Sequence, residues 1–279
     1  MNDRATSCWV VALKTEAAVI REKYKMASAG QAGPYPVFKD ATGRNWLTIS
    51  GIGRVHAAAA TTYLHQVSQA APWALWINVG IAGNKRGDYG SLYLVDKITE
   101  RSTGHVFYPR PMILSAMGRS SLVTVDTPEV NYRSDDLFDM EGSAFFNIAC
   151  RLSCQELVML FKIVSDGPNF DIGDLTPEKI FNLVSSAIDD ISDMVVEMTP
   201  FKEKERGRLA LPIGYDSITE KWNFSQSRQH QLKHLLERWH AFFPKEIPLS
   251  YLEGCPDAKA VIHNLTVKLD AHKIEWGES

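Results

Sequence analysis

Trp76-Ile77-Asn78-Val79-Gly80-Ile81-Ala82-Gly83-Asn84 is a near-continuous apolar run that closes on a Gly-x-Ala-Gly turn. It reads as a strand followed by a tight turn. In open α/β sheets, ligands bind in such turns at the carboxyl ends of parallel strands. By itself the turn fits a purely structural role equally well.

Outward from this run the same alternation recurs. Strands are expected at Cys8–Leu13, Trp46–Ser50, Leu75–Val79, Leu92–Val95, Ser121–Val125 and Leu157–Val164. Runs such as Leu157-Val158-Met159-Leu160-Phe161 predict strands covered on both faces. Between them, helices are expected at Glu16–Lys25, Val55–Gln69 and Glu141–Leu152. The clearest helix spans Pro177–Met198. Its apolar residues recur with a 3.6-residue period, Thr176 and Pro177 form its start, and Pro200 marks its stop. Strands alternating with helices predict an α/β fold.

The 279 residues suit one main core with an appendage. A boundary is expected near Pro200, giving residues 1–200 as the main domain and 201–279 as a mostly helical extension. Phe201–Arg208 is charged and reads as a linker or solvated face. Helices are expected at Ser225–Phe243 and Pro256–Leu269. The tail is too small for a core of its own, so it is expected to pack on the main domain or a second subunit.

Composition excludes several classes. With 45% hydrophobic and 23% charged residues the chain is globular, not fibrous or disordered. A net charge of -3 gives no basic field for nucleic acid. No apolar stretch reaches a membrane span, and Met1-Asn2-Asp3-Arg4 does not lead into a signal core, so a cytoplasmic protein is expected. Cys8, Cys150, Cys154 and Cys255 lack CxxC spacing and read as reduced, mostly buried thiols.

Three more segments carry chemistry. Thr48-Ile49-Ser50-Gly51-Ile52-Gly53-Arg54 runs from a strand through a glycine turn into an alanine-rich helix, a start that can bind anions or hydroxyls. Phe138-Asp139-Met140-Glu141-Gly142-Ser143-Ala144 enters a helix. Its acid is either favourable dipole placement or a carboxylate that accepts two vicinal hydroxyls above Met140. Ile163-Val164-Ser165-Asp166-Gly167-Pro168 ends an apolar strand in Ser-Asp. That acid is either a capping residue or a general acid beside a pocket.

Taken in order, Ser-Gly-Ile-Gly-Arg-Val, Asn-Val-Gly-x-Ala-Gly, Asp-Met-Glu-Gly-x-Ala and Ser-Asp before a final amphipathic helix resemble one family. It is the nucleoside phosphorylase and nucleosidase superfamily, closest in flavour to 5′-methylthioadenosine/S-adenosylhomocysteine nucleosidase. The resemblance covers about residues 7–198. It implies a three-layer αβα sandwich around a mixed, largely parallel sheet. It also implies cleavage of a purine nucleoside's N-glycosidic bond, with no cofactor and no metal. Asp166 would protonate the purine at N7. Glu141 would hold the ribose hydroxyls and Met140 would pack on the sugar. Glu16 would activate the attacking water. Gly80, Ile81, Ala82 and Gly83, with Ser165, complete the implied substrate-binding set. Such proteins are usually oligomeric, so a homodimer is expected.

Phosphorylases of the superfamily carry Gly-Asp-Pro-x-Arg after the first strand. Here Ala12-Leu13-Lys14-Thr15-Glu16 offers an acid and no arginine, and Ile81 replaces a polar contact. Both departures favour water over phosphate. Lys14, Arg54 and Arg86 keep a phosphate partner open as the alternative, and a non-catalytic nucleoside-binding module is the second. The base-recognition loop is implied near Val125-Asp126-Thr127-Pro128-Glu129-Val130, and Phe107, Tyr108 and Phe170 are candidate pocket aromatics.

Overall fold

The computed structural model describes residues 4–30, 33–86, 89–112, 117–169, 172–244 and 246–272. The chain forms two compact units, Met1–Arg208 and Leu209–Ser279.

In the first unit, strand β1 (Ser7–Val11) leads into helix α1 (Lys14–Lys23). The short strands β2 (Ala27–Ser28) and β3 (Val37–Lys39) precede β4 (Asn45–Ile49), α2 (Arg54–Ser68) and β5 (Leu75–Asn84). Then come β6 (Leu92–Glu100), β7 (Val106–Phe107), β8 (Arg119–Thr124) and β9 (Leu137–Asp139). Helix α3 (Gly142–Leu152), β10 (Val158–Asp166), α4 (Pro177–Glu197) and α5 (Thr199–Leu209) complete it. The short strands β2, β3, β7 and β9 escape the sequence pattern, because runs of two or three residues carry no period.

The strands form one mixed sheet in the order β10-β6-β8-β9-β5-β1-β4-β3-β2, and β10 also pairs with β5. The long pairings β10–β5, β6–β8 and β1–β4 are parallel. Because β10 pairs on both sides, β10, β6, β8, β9 and β5 close into a ring, which a simple open sheet lacks. The physical reason lies in strand length. Strands β5 and β6 run well beyond their expected ends at Val79 and Val95. Gly80 and Gly83 sit where β5 continues past its apolar core, and glycines permit the bend that closure needs.

Alternate residues of β1 serve opposite faces. Trp9 and Val11 pack with residues of α1 and α4, including Ile20, Val184 and Ile188. Cys8 and Val10 pack with Leu64 of α2 and Phe145 of α3. Thr176 caps α4 by accepting from the Lys179 N–H at 3.3 Å, and the apolar stripe from Ile180 to Val195 is buried as its period requires.

The stretch after Pro200 corrects the linker expectation. Thr199–Leu209 is helical, and Pro200 lies in its first turn, where a missing N–H breaks no bond. Most of the charges there are solvated, but Glu205 is buried and pairs with Arg208 at 2.7 Å.

The second unit contains α6 (Tyr215–Lys221), α7 (Gln226–Phe242) and α8 (Ala258–Asp270). It holds its own apolar cluster, built on Leu232, Leu236, Trp239, Val261 and Leu265, contrary to the expectation that so short a tail has none. Two indoles supply the area a small unit needs, and both find acceptors. The Trp222 N–H donates to the Cys255 carbonyl at 2.9 Å, and the Trp239 N–H donates to the Glu246 carbonyl at 3.1 Å. The four cysteines are free thiols; Cys8 is buried and the other three are half-buried. Among the described residues, no helix is long and apolar enough to cross a membrane.

Candidate active site

The carboxyl ends of β5 and β10, the end of β9 and the starts of α1 and α3 enclose a cavity of about 160 Å3. It lies wholly within the first unit. All nine residues singled out from the sequence line it: Glu16, Gly80, Ile81, Ala82 and Gly83 from the first half, and Met140, Glu141, Ser165 and Asp166 from the second.

Glu16 stands at the third position of α1 and reaches back over the helix start. Its carboxylate accepts from the N–H groups of Ala12 (3.0 Å), Leu13 (2.8 Å) and Ile81 (3.2 Å). The bond to Leu13 is one half of a capping box, so helix formation itself orients this acid. Burial pushes its carboxyl above the usual range, against the opposing pull of the Leu13 N–H and the Lys162 ammonium.

Glu141 precedes α3 but caps no N–H of its own helix. It accepts instead from the N–H of Gly53 at 2.6 Å, whose φ of 106° favours glycine. Burial, and next the nearby Asp139 carboxylate, push Glu141 up to about 7, while Lys162 opposes them.

Asp166 is buried at the end of β10. Ser165 donates to its Oδ1 at 2.5 Å and the Tyr132 hydroxyl donates to its Oδ2. Tyr132 comes from the loop between β8 and β9, where its own φ is positive (41°), and its ring stands edge-on to Phe138. A Cβ at Gly83 would lie 2.6 Å from Asp166 Oδ2 and 2.7 Å from the Tyr132 ring, so only glycine leaves room for this contact. Gly80, three residues earlier on the strand, faces Glu16 and Lys162 instead. At roughly 3.3 Å per strand residue, the Asp166 and Glu16 ends of the cavity are about 10 Å apart along β5.

Several members were missed by the sequence reading. Lys162 is almost fully buried in the middle of β10. Its ammonium donates to Asn78 Oδ1 at 2.7 Å and pairs with Asp139 at 2.8 Å. Asn78 also donates to the Val10 carbonyl at 2.9 Å, so the network joins β1, β5, β9 and β10. Asp139 further accepts from Thr124 and from the Gly142 N–H. The available signal was a lysine inside Leu160-Phe161-Lys162-Ile163-Val164, since a charge there requires a partner. Tyr132 had no sequence signal.

Other expectations fall elsewhere. Phe107 and Tyr108 line a separate surface cavity with Phe146, and Phe170 lies outside the described residues. Arg54 is bound to Glu100 and Asp126, and Arg86 to Asp135. Lys14 is exposed, and none of the three lines the cavity. Among the described residues, no cluster of His, Cys, Asp or Glu is arranged to hold a metal ion.

Chemically, the cavity offers a buried acid at one end, a second carboxylate facing backbone N–H groups at the other, and a third beside a thioether floor. The fold is the nucleoside phosphorylase/nucleosidase fold. Among solved structures it is similar to 5′-methylthioadenosine/S-adenosylhomocysteine nucleosidase from Helicobacter pylori with butyl-thio-DADMe-Immucillin-A (TM-score 0.58, 14% identity, 70% of this chain and 99% of that one). It is likewise similar to a futalosine hydrolase mutant from the same organism (TM-score 0.57, 12% identity, 69% and 99%). The apo 5′-methylthioadenosine nucleosidase of Arabidopsis thaliana also matches (TM-score 0.54, 17% identity, 71% and 96%). No family model and no curated protein sequence matches the chain.

Three outcomes follow from this geometry. Gly83→Ala pushes a Cβ into the buried Asp166 carboxylate and Tyr132 ring and is expected to lower stability by about 1–3 kcal/mol in denaturant unfolding, as overpacking does. Lys162→Met leaves Asp139 buried without its cation and is expected to cost about 3–5 kcal/mol in denaturant unfolding. The third concerns pH. The Glu141 carboxyl is held at about 7 in the fold against 4.5 ordinarily, so between these values the native state binds more protons than the unfolded one. Its contribution to stability is complete below pH 4.5 and is lost as pH rises through 7. Glu141→Gln is therefore expected to gain on the parent between pH 5 and pH 8, by on the order of 3 kcal/mol, in paired unfolding curves. An equal difference at both pH values would contradict it.

Proposed function

We propose that the chain hydrolyses the N-glycosidic bond of a purine nucleoside. Asp166 is the general acid to the base, Glu141 holds the ribose 2′ and 3′ hydroxyls above Met140, and Glu16 activates water. The observation that carries this reading is the convergence of three carboxylates, from α1, the α3 entrance and β10, on one small cavity.

Glycosidic cleavage passes through an oxocarbenium-like state, which needs an acid at the departing group and a base on the opposite face, with room for water between. The separation of the two ends along β5 leaves that room. A Glu16 carboxyl raised by burial is a stronger base toward water than an ordinary one. Carboxylates around the sugar stabilise its positive charge as it develops.

The charge balance favours water over phosphate. A phosphate dianion would meet Glu16, Asp139 and Glu141. Among the described residues the cation lining the cavity is Lys162, already engaged by Asp139 and Asn78. The helices on both faces of the sheet support reading this unit as an αβα three-layer arrangement.

The test is a panel of purine nucleosides assayed with and without phosphate. Free ribose and free base are expected in both arms, and ribose 1-phosphate would select the phosphorylase instead. Asp166→Asn is expected to lower kcat about 10²–10⁴-fold, as loss of one positioned proton donor does, with little change in KM. Nucleoside binding without turnover, indifferent to this substitution, would select the binding module.

A further inference from the structure

Glu141 takes its aim from outside its own helix. The Gly53 N–H that donates to it stands at the start of α2, so the carboxylate keeps its direction only while the starts of α2 and α3 keep their spacing. Apolar packing joins the two helices, through Leu64 and Phe145 among others, but that attraction has no direction and fixes no single atom.

A second carboxylate supplies the direction. Glu100 ends β6, and its side chain is 13% exposed. Its Oε1 pairs with the Arg54 guanidinium at 2.6 Å and accepts from the Thr103 hydroxyl at 2.9 Å. Its Oε2 accepts from the Ser143 hydroxyl at 3.0 Å. Arg54 follows Gly53 directly, and Ser143 comes two residues after Glu141. One carboxylate therefore holds both helix starts, each within two residues of the contact that aims Glu141. Burial pushes the Glu100 carboxyl up, but the two hydroxyls and Arg54 outweigh it and hold the group below the usual range. The bridge is thus an anion across the neutral range. Arg54 is braced from its other side by Asp126 at 2.7 Å.

Glu100, Arg54 and Ser143 all lie outside the cavity wall. An ion pair drawn out of water gains little net stability, and its best-attested use is to fix register. We propose that Glu100 is a positioning residue for the sugar subsite: it locks the starts of α2 and α3 together, keeps the Gly53 N–H on Glu141, and so aims that carboxylate at the ribose diol. The inference rests on the role given to Glu141 above.

Two measurements test it. The first is a double-mutant cycle of Glu100→Ala and Glu141→Ala in denaturant unfolding of the full chain at pH 8, which needs no turnover. Glu100→Ala is expected to lower the folding equilibrium constant less in the Glu141→Ala background than in the parent, by at least about fivefold. Simple repulsion between two carboxylates predicts the opposite sign. The second compares kcat/KM for a purine ribonucleoside with that for its 2′-deoxy counterpart. In Glu100→Ala the ratio is expected to fall about tenfold, since only the substrate with the 2′ hydroxyl loses a charged hydrogen bond. A merely structural role lowers both substrates alike. Glu100→Gln spans the same length and still accepts from Arg54, so it is expected to restore most of the ratio. Independent effects in the cycle, or an unchanged ratio in a variant that cleaves, would overturn the proposal. If Glu100→Ala does not fold, Ser143→Ala, which cuts one arm of the bridge, replaces it in both measurements. If no nucleoside is cleaved but the cycle shows coupling, the hydrolase reading fails while the bridge stands. Cleavage without coupling refutes only the role of Glu100.

Discussion

The ammonium of Lys162 sits where β5, β9 and β10 meet, and the floor of the cavity is built around it. A lone charge at such a depth is too costly to keep, and pairing recovers the loss only when every donor has good geometry. Asp139 and Asn78 provide that geometry, and Asp139 in turn is bound by Thr124 and the Gly142 N–H. Each partner belongs to a different strand or helix start, so the ion pair sets the register in which these elements meet. It also sets the electrostatics above it. The same ammonium opposes the upward push of burial on both Glu16 and Glu141. One cation thus draws down two carboxyls, one in α1 and one just before α3.

Glycine shapes what the ion pair holds. At Gly142 a Cβ would lie 2.6 Å from a Leu122 methyl and 2.9 Å from Asp139, so the entrance to α3 can approach the floor only without one. At Gly53 the positive φ turns an N–H toward Glu141 from another helix start. Backbone groups therefore fix Glu16 and Glu141, while side chains fix Lys162. Neither glycine is chemically reactive, yet Gly53 and Gly142 decide where an acid points.

This division explains what the sequence disclosed. The parallel strands and α4 were legible because their apolar runs and stripe are long enough to show a period. The acids at 141 and 166 were legible because each stands at a helix start or strand end beside a glycine, whereas Glu16 came only from the family resemblance. Ring closure was not legible, since it depends on β9 and on β10 pairing twice, and three residues such as Leu137–Asp139 carry no pattern. Lys162 was hidden inside an apolar run. Tyr132 lies on an irregular loop, where tertiary contact and not local spacing decides orientation. The helix over Thr199–Leu209 was read as a linker or a solvated face, and not as a helix, although its Glu and Lys residues are good helix formers.

The two ends of the cavity differ in kind. Glu16 is held by three main-chain N–H groups on a helix start and a strand, none of which can move without unfolding an element. Asp166 is held by two hydroxyls, each free to rotate about a single bond, and one of them is carried by a loop. A rigid carboxylate suits a small, invariant partner such as water, whose position must be fixed before reaction. An adaptable one suits a large planar partner, which must displace or redirect a hydroxyl to reach the acid. The asymmetry follows from what each carboxylate accepts from, main-chain N–H groups at one end and side-chain hydroxyls at the other. On the proposed reading, it suits two tasks: fixing the nucleophile in place and admitting the base.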